Sequence, residues 1–168
     1  VREGFKGKIY CTRATSDITQ IMLLDAARLQ EEDAEFKRRR HEREKRQSPH
    51  PEVPLSTVED ANAAIPMLEP IDYENPVRFG GFEATFHDAG HVLGSSMIKV
   101  KFKSNGKPRT VLFSGDVGRK NKPILRDPTF FNEADYAIVE STYGDRLHDN
   151  QDIGTRLADV INSTAAAG

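Results

Sequence analysis

The stretch from Gly81 to Asp116 constrains the fold most, because two runs of alternating side chains lead up to "NGK" at 105 to 107. "GFEATFHD" places Phe82, Ala84 and Phe86 on one face. "SMIKVKFK" places Met97 or Ile98, Val100 and Phe102 opposite a row of lysines. Successive side chains of a strand point to opposite faces, so this period of two specifies half-buried strands. Asn-Gly accepts the positive φ angles of a tight two-residue turn, which folds the lysine-bearing run back onto "RTVLFSGD". "YAIVES" at 136 to 141 adds an unbroken apolar run, expected to be a strand buried on both faces. A mainly antiparallel sheet over about residues 71 to 140, with helices on one face, is the expected core.

Ahead of the sheet, "KIYCT" reads as a short strand. Ala14-Thr15-Ser16 offers hydroxyl caps for a helix opening near Asp17. Ile18, Ile21, Met22, Leu24 and Leu29 recur at helical spacing and predict one buried face. From Gln30 to Arg46 the apolar stripe stops and acidic and basic residues alternate about four apart, as in Glu42 and Arg46. A solvated helix laced with ion pairs accounts for this arm. Phosphate contacts from Lys37, Arg38, Arg39, Arg40, Arg43 and Lys45 are the functional alternative. Three prolines in "SPHPEVP" make 48 to 54 a linker. Ser56 and Glu59 then form an expected capping box for a short helix that Pro66 ends or kinks. A last amphipathic helix is expected over about 152 to 165.

The chain has 168 residues, about one domain's worth, and its formal net charge of −2 supplies no global field for nucleic acid. Any polyanion contact must therefore be local. The single cysteine, Cys11, rules out an internal disulfide framework and fits a buried small apolar residue in a reducing compartment. No run approaches the ~18 apolar residues of a membrane span, so no membrane partner and a cytoplasmic location are expected.

Chemistry is expected where polar residues end apolar strands. His91 lies in the loop between two strands, Asp116 ends "TVLFSGD", and Glu140 ends "YAIV". Imidazole and carboxylate suit Zn²⁺ or a similar divalent ion, and a carboxylate can bridge two metals. On spacing alone, His91 and Asp116 read more readily as turn residues than as metal ligands. His87 alternates away from Phe86 and reads as surface. Glu140, at the end of an apolar strand, needs a partner, and a metal-bound histidine would satisfy it.

Taken in order, three motifs are familiar. "AGHVLGSS" resembles the third motif of the metallo-β-lactamase superfamily, "FSGDVGR" the fourth, and "VESTYGDR" the acidic motif of the β-CASP branch, which acts on nucleic acids. "GFKGKIYCTRATSDITQIMLLDAARLQEEDA" and "PLSTVEDA" also resemble segments of its RNA-processing members, so the likeness runs from about Gly4 to Ala167.

The resemblance implies a partial αββα sandwich, α/β in class. Residues 1–142 would belong to the metallo-β-lactamase domain, with 30–55 as the arm and linker, and 143–168 would begin the β-CASP region. His91 becomes an expected ligand of one zinc, Asp116 the carboxylate bridging two, and Glu140 a residue orienting a metal-bound histidine. The HxHxDH motif and the final histidine of the β-CASP region would lie before Val1 and after Gly168. The chain thus reads as an internal segment of a two-zinc ribonuclease. Alone, it is expected to bind no zinc tightly and to be catalytically silent. RNA is the implied partner of the intact protein, and pairing between copies is expected from uncovered strand edges. A hydrolase of a small thioester or lactam and a non-catalytic scaffold paralogue are the rival readings. "ESTYG" argues against the first, and retention of His91, Asp116 and Glu140 against the second.

Overall fold

A computed structural model describes residues 3–145 and 152–167. Strand β1 (Ile9–Thr12) runs directly into helix α1 (Arg13–Glu44). The cap is Thr12 rather than the expected Thr15 or Ser16. Its Oγ1 accepts from the Thr15 N–H at 3.3 Å, so the last strand residue also satisfies the first turn of the helix. The charged arm simply continues α1. Lys37 pairs with Asp33 at 2.5 Å, Arg40 with Glu44 at 2.9 Å, and Arg39 with Glu35, all one turn apart. Lys45 closes the helix in the left-handed conformation at φ 50°. Arg46 reaches Glu44 at 3.5 Å, not the expected Glu42. His41 on α1 bonds Glu52, which holds the proline-rich linker against the helix.

Helix α2 (Val58–Ala64) is capped one residue later than the sequence suggests. Thr57 accepts from the Asp60 N–H at 3.2 Å, and Asp60 accepts in return from the Thr57 N–H at 3.0 Å. Glu31 of α1 accepts from the Val58 N–H at 3.0 Å and thereby helps fix this register over the Ser56–Glu59 alternative. Pro66 converts the helix end into a single 3₁₀ turn at Ile65–Met67. Strand β2 (Leu68–Ile71) then pairs in parallel with β1.

The larger sheet is five-stranded, in the order β3 (Val77–Phe79), β4 (Phe82–Asp88), β5 (Ser96–Ser104), β6 (Lys107–Phe113), β7 (Tyr136–Ile138). The first four strands are antiparallel and β7 adds in parallel to β6. Asn105 and Gly106, at φ 51° and 75°, make the expected β5–β6 turn. Ala84 faces Val100 and Phe86 faces Ile98, so the alternation predicted for β4 and β5 becomes one cross-strand apolar face.

Three expectations of burial fail. Ile18, Ile21, Met22 and Leu29 are exposed, and α1 buries Ser16, Ala27 and Ala34 instead, because it packs chiefly on α2 and the β1–β2 pair through small residues. Strand β7 is an edge strand with exposed Tyr136 and Ile138, so its apolar run does not mark two-sided burial here. His87 is buried, not surface: Nδ1 bonds Glu74 at 2.8 Å, and the ring meets Phe131 edge-on at 4.8 Å. Among the described residues its Nε2 has no partner.

Among the described residues no large side chain is fully buried, and Cys11 lies in the core as expected. Burial raises the Cys11 thiol above its ordinary value, partly offset by a hydrogen bond with Ser16. The chain exposes 12987 Å². A closed domain of 18.8 kDa would expose about 8,300 Å². Helix α3 (Ile153–Ala167) contributes to this surface, with Ile153, Leu157, Val160 and Ile161 all exposed. Among the described residues no helix is long and apolar enough to cross a membrane.

Candidate functional site

The loop between β4 and β5 is folded back on itself before it presents His91. The Ser95 hydroxyl accepts from the His91 and Val92 N–H groups at 3.1 and 3.2 Å, and the Ser95 N–H reaches the Val92 carbonyl at 3.0 Å. The Asp88 carboxylate accepts from the Gly90 N–H at 2.9 Å. From the other side, Thr12 and Thr15 donate to the Gly94 carbonyl at 2.8 and 3.0 Å, which ties the loop to the start of α1. A side chain at Gly94 would meet Thr15 at 2.7 Å and carry φ +87° as well. The loop is thus held by short polar contacts on both flanks.

Asp116 is delivered by the turn after β6. The Gly118 N–H donates to the Ala89 carbonyl at 2.8 Å, and a Cβ on Gly118 would lie 1.7 Å from the Gly90 oxygen. Only glycine permits the two loops to approach this closely, and the approach is what brings Asp116 to His91. The separation between His91 Nε2 and Asp116 Oδ2 is 4.0 Å, and both side chains are largely open to solvent.

Glu140 completes the group from the end of β7. Its N–H donates to the Ser114 hydroxyl at 3.0 Å, the Ser114 N–H donates to the Ile138 carbonyl at 2.9 Å, and its carboxylate accepts from the Val117 N–H at 2.6 Å. Ser114 is buried at 4% exposure. The Val117 N–H and a Thr142 hydrogen bond hold the Glu140 carboxyl below its ordinary range, with His91 adding charge attraction. Glu140 therefore clasps the turn carrying Asp116.

These three side chains, from three separated motifs, line one cleft of about 450 Å³ with Gly90, Arg119, Lys122 and Tyr143. Sequence reasoning located His91, Asp116 and Glu140. It missed Ser114, Val117 and Thr142, which carry no ionic chemistry, and the cations Arg119 and Lys122. The "GRKNK" run at 118 to 122, two positions beyond Asp116, was the available signal.

As a metal centre the group is incomplete. A nitrogen and a carboxylate oxygen 4.0 Å apart are near enough to serve one ion after a small side-chain adjustment. Among the described residues, however, no group of three or more His, Cys, Asp or Glu could hold a metal. His91 and Asp116 offer one nitrogen and one carboxylate donor toward such a group.

No family model matches the chain. Among curated proteins it is similar to a ribonuclease of Thermus thermophilus, 33% identical over 147 residues that are 88% of this chain and 28% of that protein. It is similar to a cleavage and polyadenylation specificity factor subunit 3-I of Arabidopsis thaliana, 30% identical over 98% of this chain and 21% of that protein. An endoribonuclease of Eremothecium gossypii is 31% identical over 68% of this chain and 14% of its own length. Among solved structures, a metallo-β-lactamase of Elizabethkingia meningoseptica is 17% identical with a TM-score of 0.32, covering 68% of this chain and 34% of that one. The chain spans about a quarter of the length of the first two curated relatives.

By its sequence likeness to these curated relatives, which runs along most of its length, the chain belongs to the metallo-β-lactamase superfamily. Within the superfamily it falls in the β-CASP branch, with the ribonucleases and the cleavage and polyadenylation specificity factor subunit just described.

Proposed function

We propose that this chain is part of a zinc-dependent ribonuclease that hydrolyses RNA phosphodiester bonds in RNA processing or decay. The observation that carries the proposal is the convergence of His91, Asp116 and Glu140 on one cleft, in a chain similar to ribonucleases along most of its length. His91 and Asp116 are the metal ligands in this reading. A divalent ion bound there would supply Lewis acidity and lower the pKa of a bound water.

The chain's own contribution is positional. The Ser95 hydroxyl fixes the His91 backbone, and Glu140 fixes the Asp116 turn through Val117. A histidine supplied from elsewhere in the protein could use the remaining acceptor capacity of the Glu140 carboxylate. Residues 143–168 begin the β-CASP region in this reading. Arg146, the last residue of "VESTYGDR", lies outside the described residues.

Cleavage of a labelled single-stranded RNA by the full-length protein with zinc tests the proposal. H91A and D116N should each lower turnover by about 100-fold or more without changing the far-UV circular dichroism. Unchanged turnover in both variants would refute the assignment, as would the absence of an HxHxDH motif in the coding sequence ahead of Val1. A zinc titration of the isolated chain by calorimetry should show no tight stoichiometric site. Submicromolar binding would contradict the incomplete ligand set.

A further inference from the structure

The cleft has basic and aromatic lining residues that the ligand assignment does not use. Arg119 and Lys122 line the cleft together with His91, Asp116, Glu140 and Tyr143. Neither cation has an acidic partner among the described residues, whereas Arg78 and Arg109 are bound to Glu83 and Asp135. Lys120, between them in sequence, lies over the Phe130 ring at 4.3 Å, and Phe130 is 69% exposed. The net charge of −2 gives no general attraction for a polyanion, so cations concentrated in one cleft have a local role.

We infer that Arg119, Lys122 and the Lys120–Phe130 pair form a rail for single-stranded RNA, with the two cations holding phosphates beside the scissile bond and Phe130 stacking on a base. The inference rests on the ribonuclease reading and adds the residues that position its substrate. Arginine and lysine side chains on a backbone-tracking groove supply charge, and an exposed aromatic ring supplies sequence-tolerant stacking. Lys120 holds the Phe130 ring in place by cation–π attraction and leaves ring surface open to solvent. Arg119 and Lys122 share their cleft with His91 and Asp116.

Fluorescence anisotropy of a labelled oligouridylate of about a dozen nucleotides, titrated across a salt series, tests the rail. In the full-length protein without added metal, R119A/K122A should flatten the log–log salt slope by about 1.4, or 0.7 per phosphate released. R119K/K122R should keep the slope. F130A should weaken binding at least about fivefold with the slope unchanged, and F130W should restore it. Circular dichroism on each variant separates binding loss from unfolding. Wild-type binding with unchanged affinity and slope in every variant would overturn the rail and leave the ribonuclease reading standing. Absence of wild-type binding would also overturn the rail, while zinc-dependent turnover and its loss in D116N would still judge the ribonuclease reading separately.

Discussion

Gly118→Ala isolates the contact on which the site's assembly depends. The added methyl would sit 1.7 Å from the Gly90 oxygen and 2.0 Å from its carbonyl carbon, both backbone atoms that cannot rotate away. Reaching even a 3.0 Å separation requires the two loops to part by about 1.3 Å. That movement lengthens the bond from the Gly118 N–H to the Ala89 carbonyl, now 2.8 Å. Overpacking of this kind costs about 1–3 kcal/mol and the weakened hydrogen bond about 1 kcal/mol. For a chain of this size the sum lowers Tm by roughly 4–16 °C. Gly81→Ala is the control, because a methyl there meets nothing within 4 Å, and it should change stability by only a few tenths to about 1 kcal/mol. Thermal denaturation followed by circular dichroism measures both. A G118A Tm within about 2 °C of wild type, or a G81A loss equal to that of G118A, would show that the two loops do not hold each other as described.

The cap of α2 gives a second test: T57A should cost about 1 kcal/mol in a urea titration, while S56A should be neutral, since Thr57 and Asp60 rather than Ser56 and Glu59 make the reciprocal bonds. E140A should raise hydrogen exchange at the Val117 amide by about tenfold or more while leaving β4 and β5 protected, because the carboxylate is the acceptor for that N–H. Acid should act on the same contact. Since the Glu140 carboxyl is held below its ordinary 4.5, its stabilisation is fully present above that value and is lost as pH falls through the depressed folded value. E140Q, which cannot ionise, should remove this part of the acid dependence of Val117 exchange. An identical pH profile in E140Q would contradict the clasp.

The strands and their turn were legible because each carries a purely local signal. Alternation fixed the faces of β4 and β5, and Asn105-Gly106 fixed the reversal between β5 and β6. The site residues His91 and Asp116 were located by motif, since spacing alone left them as turn residues. Their juxtaposition depends on the Gly90–Gly118 approach, a contact between loops 28 positions apart that no local window contains. Helix starts were misplaced for a related reason. The start of α2 at Thr57 is supported by Glu31, which accepts from the Val58 N–H and lies elsewhere in the chain, and Thr12 caps α1 from the end of a strand paired with the distant β2. The burial of His87 likewise follows from Phe131 and Glu74 arriving from distant segments.

Burial was the least legible property, and α1 shows why. Periodicity in Ile18, Ile21, Met22 and Leu29 encodes that a face exists, not which surface covers it. Within these 168 residues the small side chains Ala27 and Ala34 take the close contacts, because α2 and the β1–β2 pair approach α1 on that side. The larger residues are left outward. The same separation appears at β7, where the apolar run "YAIV" pairs with β6 but keeps Ile138 and Val139 in solvent. A surface about half again as large as a closed domain of this mass is the sum of such faces. The site is exempt from this shortfall, because its geometry is carried by hydrogen bonds and glycine contacts within 88–95 and 114–118 rather than by burial. That is why a chain with so little enclosed core still brings His91, Asp116 and Glu140 to one cleft.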